Sequence, residues 1–258
     1  MPARLRNLSG MAIPEQQDYS SRRFSKQRLI PEIGQAGQEE LAKSMVMIAG
    51  LGGLGSISAY YLASAGVGRL RIIDRDCVDI DNLNRQILYN TRDIGHLKVD
   101  IAVEKLRNLN PDCRIEPLYA DILSDQASDF AEGCRLIIDA TDNLPARHAL
   151  NRISLKYKIP FIYGGIDGWQ GMTTTFIPGK TGCLACLFPF PNMNRKEKTI
   201  GVLGPVAGVM ASIQSLEAIM ILLGMTPQLA GRMLRFQGLT LDFKETVFEM
   251  DPQCSICR

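Results

Sequence analysis

Two sets of residues in this chain have types and spacings that could do chemistry. The first is Gly50, Gly52, Gly53 and Gly55, of which Gly50, Gly52 and Gly55 keep a G-x-G-x-x-G spacing. A turn built on them takes torsions that side chains forbid, lets backbone approach a phosphate, and opens a helix whose first N–H groups attract an anion. Nucleotide binding is the chemistry implied; a plain glycine-rich turn is the competing reading, and the motif alone names no reaction. The second set is Cys183-x-x-Cys186 and Cys254-x-x-Cys257. Thiolates at that spacing hold a tetrahedral Zn²⁺ two at a time, and four of them close its shell, which makes such an ion structural. Two redox dithiols or four buried thiols are the alternatives. The second pair falls among the last residues, which argues against burial without a metal.

Elements to position these residues are readable in the same stretch. The continuous apolar run 45–49 predicts a strand buried on both faces of a parallel sheet, and the small-residue run 56–65 a helix directly after the turn. Further strands are predicted at 69–74, 113–119, 136–143, 160–164 and 171–177. Helices are predicted at 37–43, 99–109, 124–132 and 145–157, with a long apolar helix in 201–225 and an antiparallel hairpin from 232–237 and 240–249. The fold class is therefore α/β: a Rossmann-like doubly wound sheet, mostly parallel, with an antiparallel C-terminal extension and a structural zinc site. Parallel strands deliver their C-terminal ends to one edge, so Gly50, Asp74 and Asp142 are expected at one crevice. Asp74 lies roughly 20 residues past the turn, where an acid accepts from a ribose; to that point an NAD-dependent dehydrogenase would read alike. The polar stretch from Asp76 through Asn82, Arg85 and Gln86 to Lys98 brings cations to the mouth of the turn, a solvated loop being the plainer reading.

Composition narrows the class. A chain of 258 residues with net charge +2 buries a full core and offers no basic surface for nucleic acid. Seven cysteines, four of them in pairs, fit a reducing, cytoplasmic setting better than a disulfide framework. Residues 1–22 read as a flexible arm without a secretory signal, and 23–258 as one domain whose 181–258 region is pinned by zinc. The apolar stretch 201–225 reads as a buried helix and not a membrane span, because Gln214 and Glu217 fall near its middle.

Together, Gly50 to Gly55, Asp74, Asn82-Leu83-Asn84-Arg85-Gln86, Lys98, Asp139-Ala140-Thr141-Asp142-Asn143 and the paired cysteines resemble the MoeB, ThiF and HesA adenylyltransferases, relatives of ubiquitin-activating enzymes. The likeness runs from about residue 23 to the C-terminus. It implies ATP on the glycine turn, Asp74 on the ribose, Arg85 and Lys98 on the phosphates, and Asp142 near Mg²⁺. Asp76, Asn82, Gln86 and Asn143 would line the same pocket. It further implies that the C-terminal glycine carboxylate of a small ubiquitin-like sulfur carrier ending in Gly-Gly attacks the α-phosphorus and expels pyrophosphate, and that the enzyme is a homodimer. Lys26 stands where the family has an arginine reaching the neighbouring subunit's nucleotide; lysine keeps the charge and loses the bidentate fork.

Members that bind their carrier through sulfur have a cysteine in the crossover loop, and residues 187–204 contain none. The expected reaction therefore ends at the acyl-adenylate, with sulfur supplied by another protein. Cys77, Cys113 and Cys134 are expected to be packing thiols, His96 and His148 surface residues, and 188–199 a cover for the carrier's tail or a connector. A peptide or small-molecule carboxylate as acceptor, or a non-catalytic nucleotide-binding scaffold, are the alternative functions.

Overall fold

The computed structural model describes residues 22–189 and 201–258. The expected arm and most of 188–199 lie outside them. Eight strands form one sheet of order β3-β2-β1-β4-β5-β6-β7-β8. They are β1 (Met45–Ala49), β2 (Arg69–Asp74), β3 (Arg114–Tyr119), β4 (Leu136–Asp139), β5 (Phe161–Asp167), β6 (Gln170–Phe176), β7 (Arg232–Gln237) and β8 (Asp242–Val247). The pairs from β3 across to β5 are parallel, and those from β5 to β8 antiparallel. The predicted fold class is the observed one.

Period-2 alternation splits the central strands between two faces. Val46, Ile48, Leu70, Ile72, Leu136 and Ile138 face one cluster, together with Leu62 of α2 (Gly55–Ala65), Leu106 of α3 (Lys98–Leu109), and Leu41 of α1 (Gly34–Lys43). Met45, Met47, Ile137 and Phe161 face the other, with Leu150 and Ile153 of α4 (Leu144–Tyr157) and Leu184 of the short α5 (Leu184–Leu187). Helix α6 (Gly204–Leu222) lies against α2, β5 and β6. Its apolar surface runs all round, and two of its polar residues, Gln214 and Glu217, reach out to the sheet and the loop beside it. Gln214 Nε2 donates to the carbonyls of Asp139 (2.8 Å) and Ile162 (3.3 Å), and Glu217 accepts from Thr175 Oγ1 (2.7 Å) and the N–H groups of Gln228 and Leu229.

The structure corrects four expectations. The segment 124–132 forms only the 3-10 turn Asp125–Asp129, although Ala127, Phe130 and Ala131 all pack into the second cluster. Strand β4 stops at Asp139, whose carboxylate takes both the N–H (2.9 Å) and hydroxyl (2.7 Å) of Thr141 and turns the chain out of the sheet. His148 is 1% exposed and belongs to the interior of α4, not to the surface; burial, and then Arg152, lower its pKa. Cys77 is exposed, not packed, whereas Cys113 and Cys134 are buried as expected. His96 is exposed as expected.

Candidate functional site

The two sides of the sheet part at β1 and β4: the chain runs from β1 outward to β2 and β3, then returns to β4 on the other flank. A crevice opens beyond the strand ends at such a switch point, and the glycine turn fills it. Gly50 has φ +91°, and a Cβ there would lie 2.5 Å from the Ala140 carbonyl oxygen. One on Gly55 would lie 1.8 Å from the Gly50 oxygen and 2.9 Å from the Ala140 Cβ. These two glycines are dictated by the protein's own backbone. Gly52 is different, since its Cβ would meet only Gln86 Nε2, at 3.8 Å. Its missing side chain leaves an open cradle at the mouth of the turn, the shape a phosphate requires. At Gly53 a Cβ would press on Ala207 at 3.3 Å and sit 3.5 Å from the Arg85 carbonyl.

Three loops are thereby tied to the turn. Asp74, at the end of β2, accepts the Leu51 N–H at 2.7 Å through one oxygen and the Asp76 N–H at 2.8 Å through the other. Burial raises its pKa, opposed by the Lys98 cation and by those two N–H groups. Lys98, the first residue of α3, is 5% exposed, and its Nζ bonds Asp76 Oδ2 at 3.1 Å. Arg85 is half-buried; its Nη1 donates to the Asp81 carbonyl (2.7 Å) and to Asn84 Oδ1 (3.0 Å), which leaves Nη2 available to a ligand. Gln86 is buried, and its Oε1 has no partner among the described residues.

The other expected residues divide. Asn82 closes the capping box of the 3-10 turn Ile80–Asn82, accepting the N–H of the N-cap Asp79 at 3.4 Å and donating to Asp81, so its polar groups serve the loop. Asn143 caps α4 by accepting the Ala146 N–H at 2.9 Å, and donates to the exposed Asp142 at 3.1 Å. Lys26 is not in this cleft. Its neighbour Gln27 bonds the Ala65 carbonyl at 2.8 Å, at the C-terminal end of α2, and that helix of 11 residues spans about 16 Å.

Sequence reasoning missed three residues that hold the crevice. Tyr89 donates to the Leu51 carbonyl at 3.2 Å. Arg147 pairs its Nε with the fully buried Asp139 at 3.4 Å and donates through Nη2 to the Thr141 and Gly164 carbonyls. Burial raises the Asp139 pKa against the pull of Arg147 and Thr141. The third, Gln214, did have a signal: a carboxamide in the middle of an apolar helix needs a buried partner.

The four paired cysteines meet, with Sγ atoms all within 4.8 Å of one another. Cys183 lies 3.8 Å from Cys254, Cys186 3.6 Å from Cys257, and Cys183 3.9 Å from Cys186. Zinc with four Zn–S bonds of about 2.3 Å places its sulfurs about 3.8 Å apart, so the cluster fits that ion. Burial works against ionisation of Cys254, yet the N–H groups of Ile256 and Cys257 draw its pKa down to about 7. Burial and then the neighbouring sulfurs push Cys257 up. A dication is what allows all four to ionise together.

Comparison with known proteins places this architecture. The chain is 34% identical over 243 residues to the sulfur carrier protein adenylyltransferase of Thermus thermophilus, covering 91% of this chain and 90% of that one. It is 36% identical over 243 residues to the sulfur carrier protein ThiS adenylyltransferase of Escherichia coli, covering 93% and 96%. A crystal structure of E. coli MccB superposes with a TM-score of 0.76 at 21% identity, over 86% of this chain and 67% of that one, a likeness of fold. The ThiF family model matches residues 24–256, and the chain belongs to the ThiF family.

Proposed function

We propose that this chain is an ATP-dependent adenylyltransferase acting on the C-terminal glycine carboxylate of a small ubiquitin-like sulfur carrier, forming an acyl-adenylate and releasing pyrophosphate. The observation that carries this reading is the open cradle at Gly52 on the switch point of the sheet, where the nearest side-chain atom is the Gln86 Nε2 donor at 3.8 Å. The names of the relatives, adenylyltransferases of sulfur carriers, supply the acceptor.

The residues present suit the task. A carboxylate nucleophile is ionised at neutral pH, so no general base is required. What opposes the reaction is repulsion between that anion and the triphosphate. Arg85, whose Nη1 is fixed by backbone and Asn84, directs its remaining donors to the phosphates, and Lys98 adds a second cation held ready by Asp76. Preorganised charges of this kind need no reorientation when charge develops. Asp142, exposed at the loop after β4, would hold Mg²⁺, which neutralises phosphate charge. Asp74 keeps a lone pair on each oxygen for the ribose. Lys26 lies past the C-terminal end of α2, so its phosphate contact is with a second copy's nucleotide, in a homodimer.

Incubation with ATP, Mg²⁺ and each candidate carrier, followed by mass measurement, tests the reading. The expected result is an AMP adduct on one carrier and carrier-dependent exchange of pyrophosphate into ATP. ATP binding without exchange for any carrier would reduce the protein to a nucleotide-binding scaffold.

A further inference from the structure

We propose that Asn151 is the outer-sphere residue of the tetrathiolate centre: with metal bound, its Nδ2–H donates to the Cys183 thiolate and ties the metal to helix α4. Asn151 is 1% exposed. Its Oδ1 accepts the Leu184 N–H at 3.0 Å, which fixes the orientation of the carboxamide. Among the described residues Nδ2 is then left buried with no acceptor in place, and an unsatisfied buried donor is destabilising. Asn151 and Cys183 line one small cavity. A zinc-bound thiolate keeps lone pairs for such a donor, and outer-sphere partners of this kind commonly set metal affinity.

The placement on α4 gives the contact reach. Asn143, Arg147 and Asn151 follow one another at intervals of four, on one face of the helix. The first caps it beside Asp142, the second grips Asp139, and the third meets the metal loop. About 12 Å of helix joins the acidic loop of the cleft to the thiolates.

Competition for Zn²⁺ against a chromogenic chelator, with the full chain, tests the assignment. Asn151→Asp keeps an acceptor for the Leu184 N–H and removes the donor, so it separates the metal contact from the structural one. The expected result is zinc affinity lower by about 10–100-fold, while Asn151→Gln recovers part of it. Asn151→Asp with wild-type affinity would overturn the proposal. A second measurement needs no variant: in ¹¹³Cd-substituted, ¹⁵N-labelled protein, the Asn151 side-chain protons should shift downfield and couple to the cadmium through the hydrogen bond. A carboxamide signal at its free position without coupling would equally overturn it.

Discussion

The nucleotide cleft and the tetrathiolate centre are assembled by opposite means. The frame of the cleft is held by protein neighbours: Gly50 against Ala140, Leu51 by Asp74 and Tyr89, Lys98 by Asp76, and Arg85 by the Asp81 carbonyl. Its ligand meets a surface already shaped. At the other centre four sulfurs are drawn from loops 71 residues apart, with one thiol poised to ionise and its neighbour resisting. There a bound ion would itself join the loops. A ligand thus adds function to the first region and fold to the second, and substitutions in the two should fail differently.

Removing the metal is the sharpest way to break this contrast. Zinc bound by such sites supplies an apparent 10–16 kcal/mol. Cys186→Ser, or a strong chelator, should therefore release the ion and expose 181–258 to protease, as followed by zinc content, thermal unfolding and limited proteolysis. An unchanged melting temperature after complete zinc loss would contradict the division. Next in size is the pair Gly55→Ala and Gly52→Ala. The first drives a Cβ into the Gly50 carbonyl and should cost about 4 kcal/mol or more in denaturant unfolding. The second meets nothing closer than 3.8 Å and should leave stability within about 1 kcal/mol while weakening ATP binding in titration calorimetry.

Arg85→Ala should lower carrier-dependent pyrophosphate exchange about 10²–10³-fold, or roughly 2.7–4 kcal/mol, with unfolding unaltered. Wild-type exchange would remove Arg85 from the reaction. The smallest effect concerns pH. Burial works to raise the Asp93 pKa, but its bond to Lys105 and the Asn90 N–H more than offset this, so the carboxyl ionises below its ordinary 3.8. Its contribution to stability is present above that ordinary value and lost as pH falls through the lowered one. Lys105→Met should make the acid limb of a stability–pH curve shallower without touching exchange at neutral pH.

The first strand, the turn and α2 were legible because local rules coincide there: an unbroken apolar run, glycines at the spacing the turn requires, then small residues for a helix against the sheet. The cysteine cluster was legible because a x-x spacing fixes half of a tetrahedron by itself. Less visible was the double duty of Asp74, expected on a ribose and found also to set the turn through the Leu51 N–H. Residues 124–132 misled because Ala127, Phe130 and Ala131 have helical spacing and do reach the core, yet only the 3-10 turn Asp125–Asp129 forms there. His148 misled because its neighbours in sequence do not reveal which side of α4 meets the sheet.

From the sequence alone came the order of the strands and, 124–132 apart, of the helices, with the glycine turn, the cations that follow it and the four thiols, all set by torsional preference, hydrophobic period and spacing within a few residues. Tertiary structure decided which groups meet across long separations: Lys98 with Asp76, Gln214 with the end of β4, Arg147 with Asp139, Asn151 with the metal loop. It also set Lys26 at the far end of α2 from the cradle. Such pairings depend on sheet order and on how helices seat against it, and those emerge only when the whole apolar surface is buried at once.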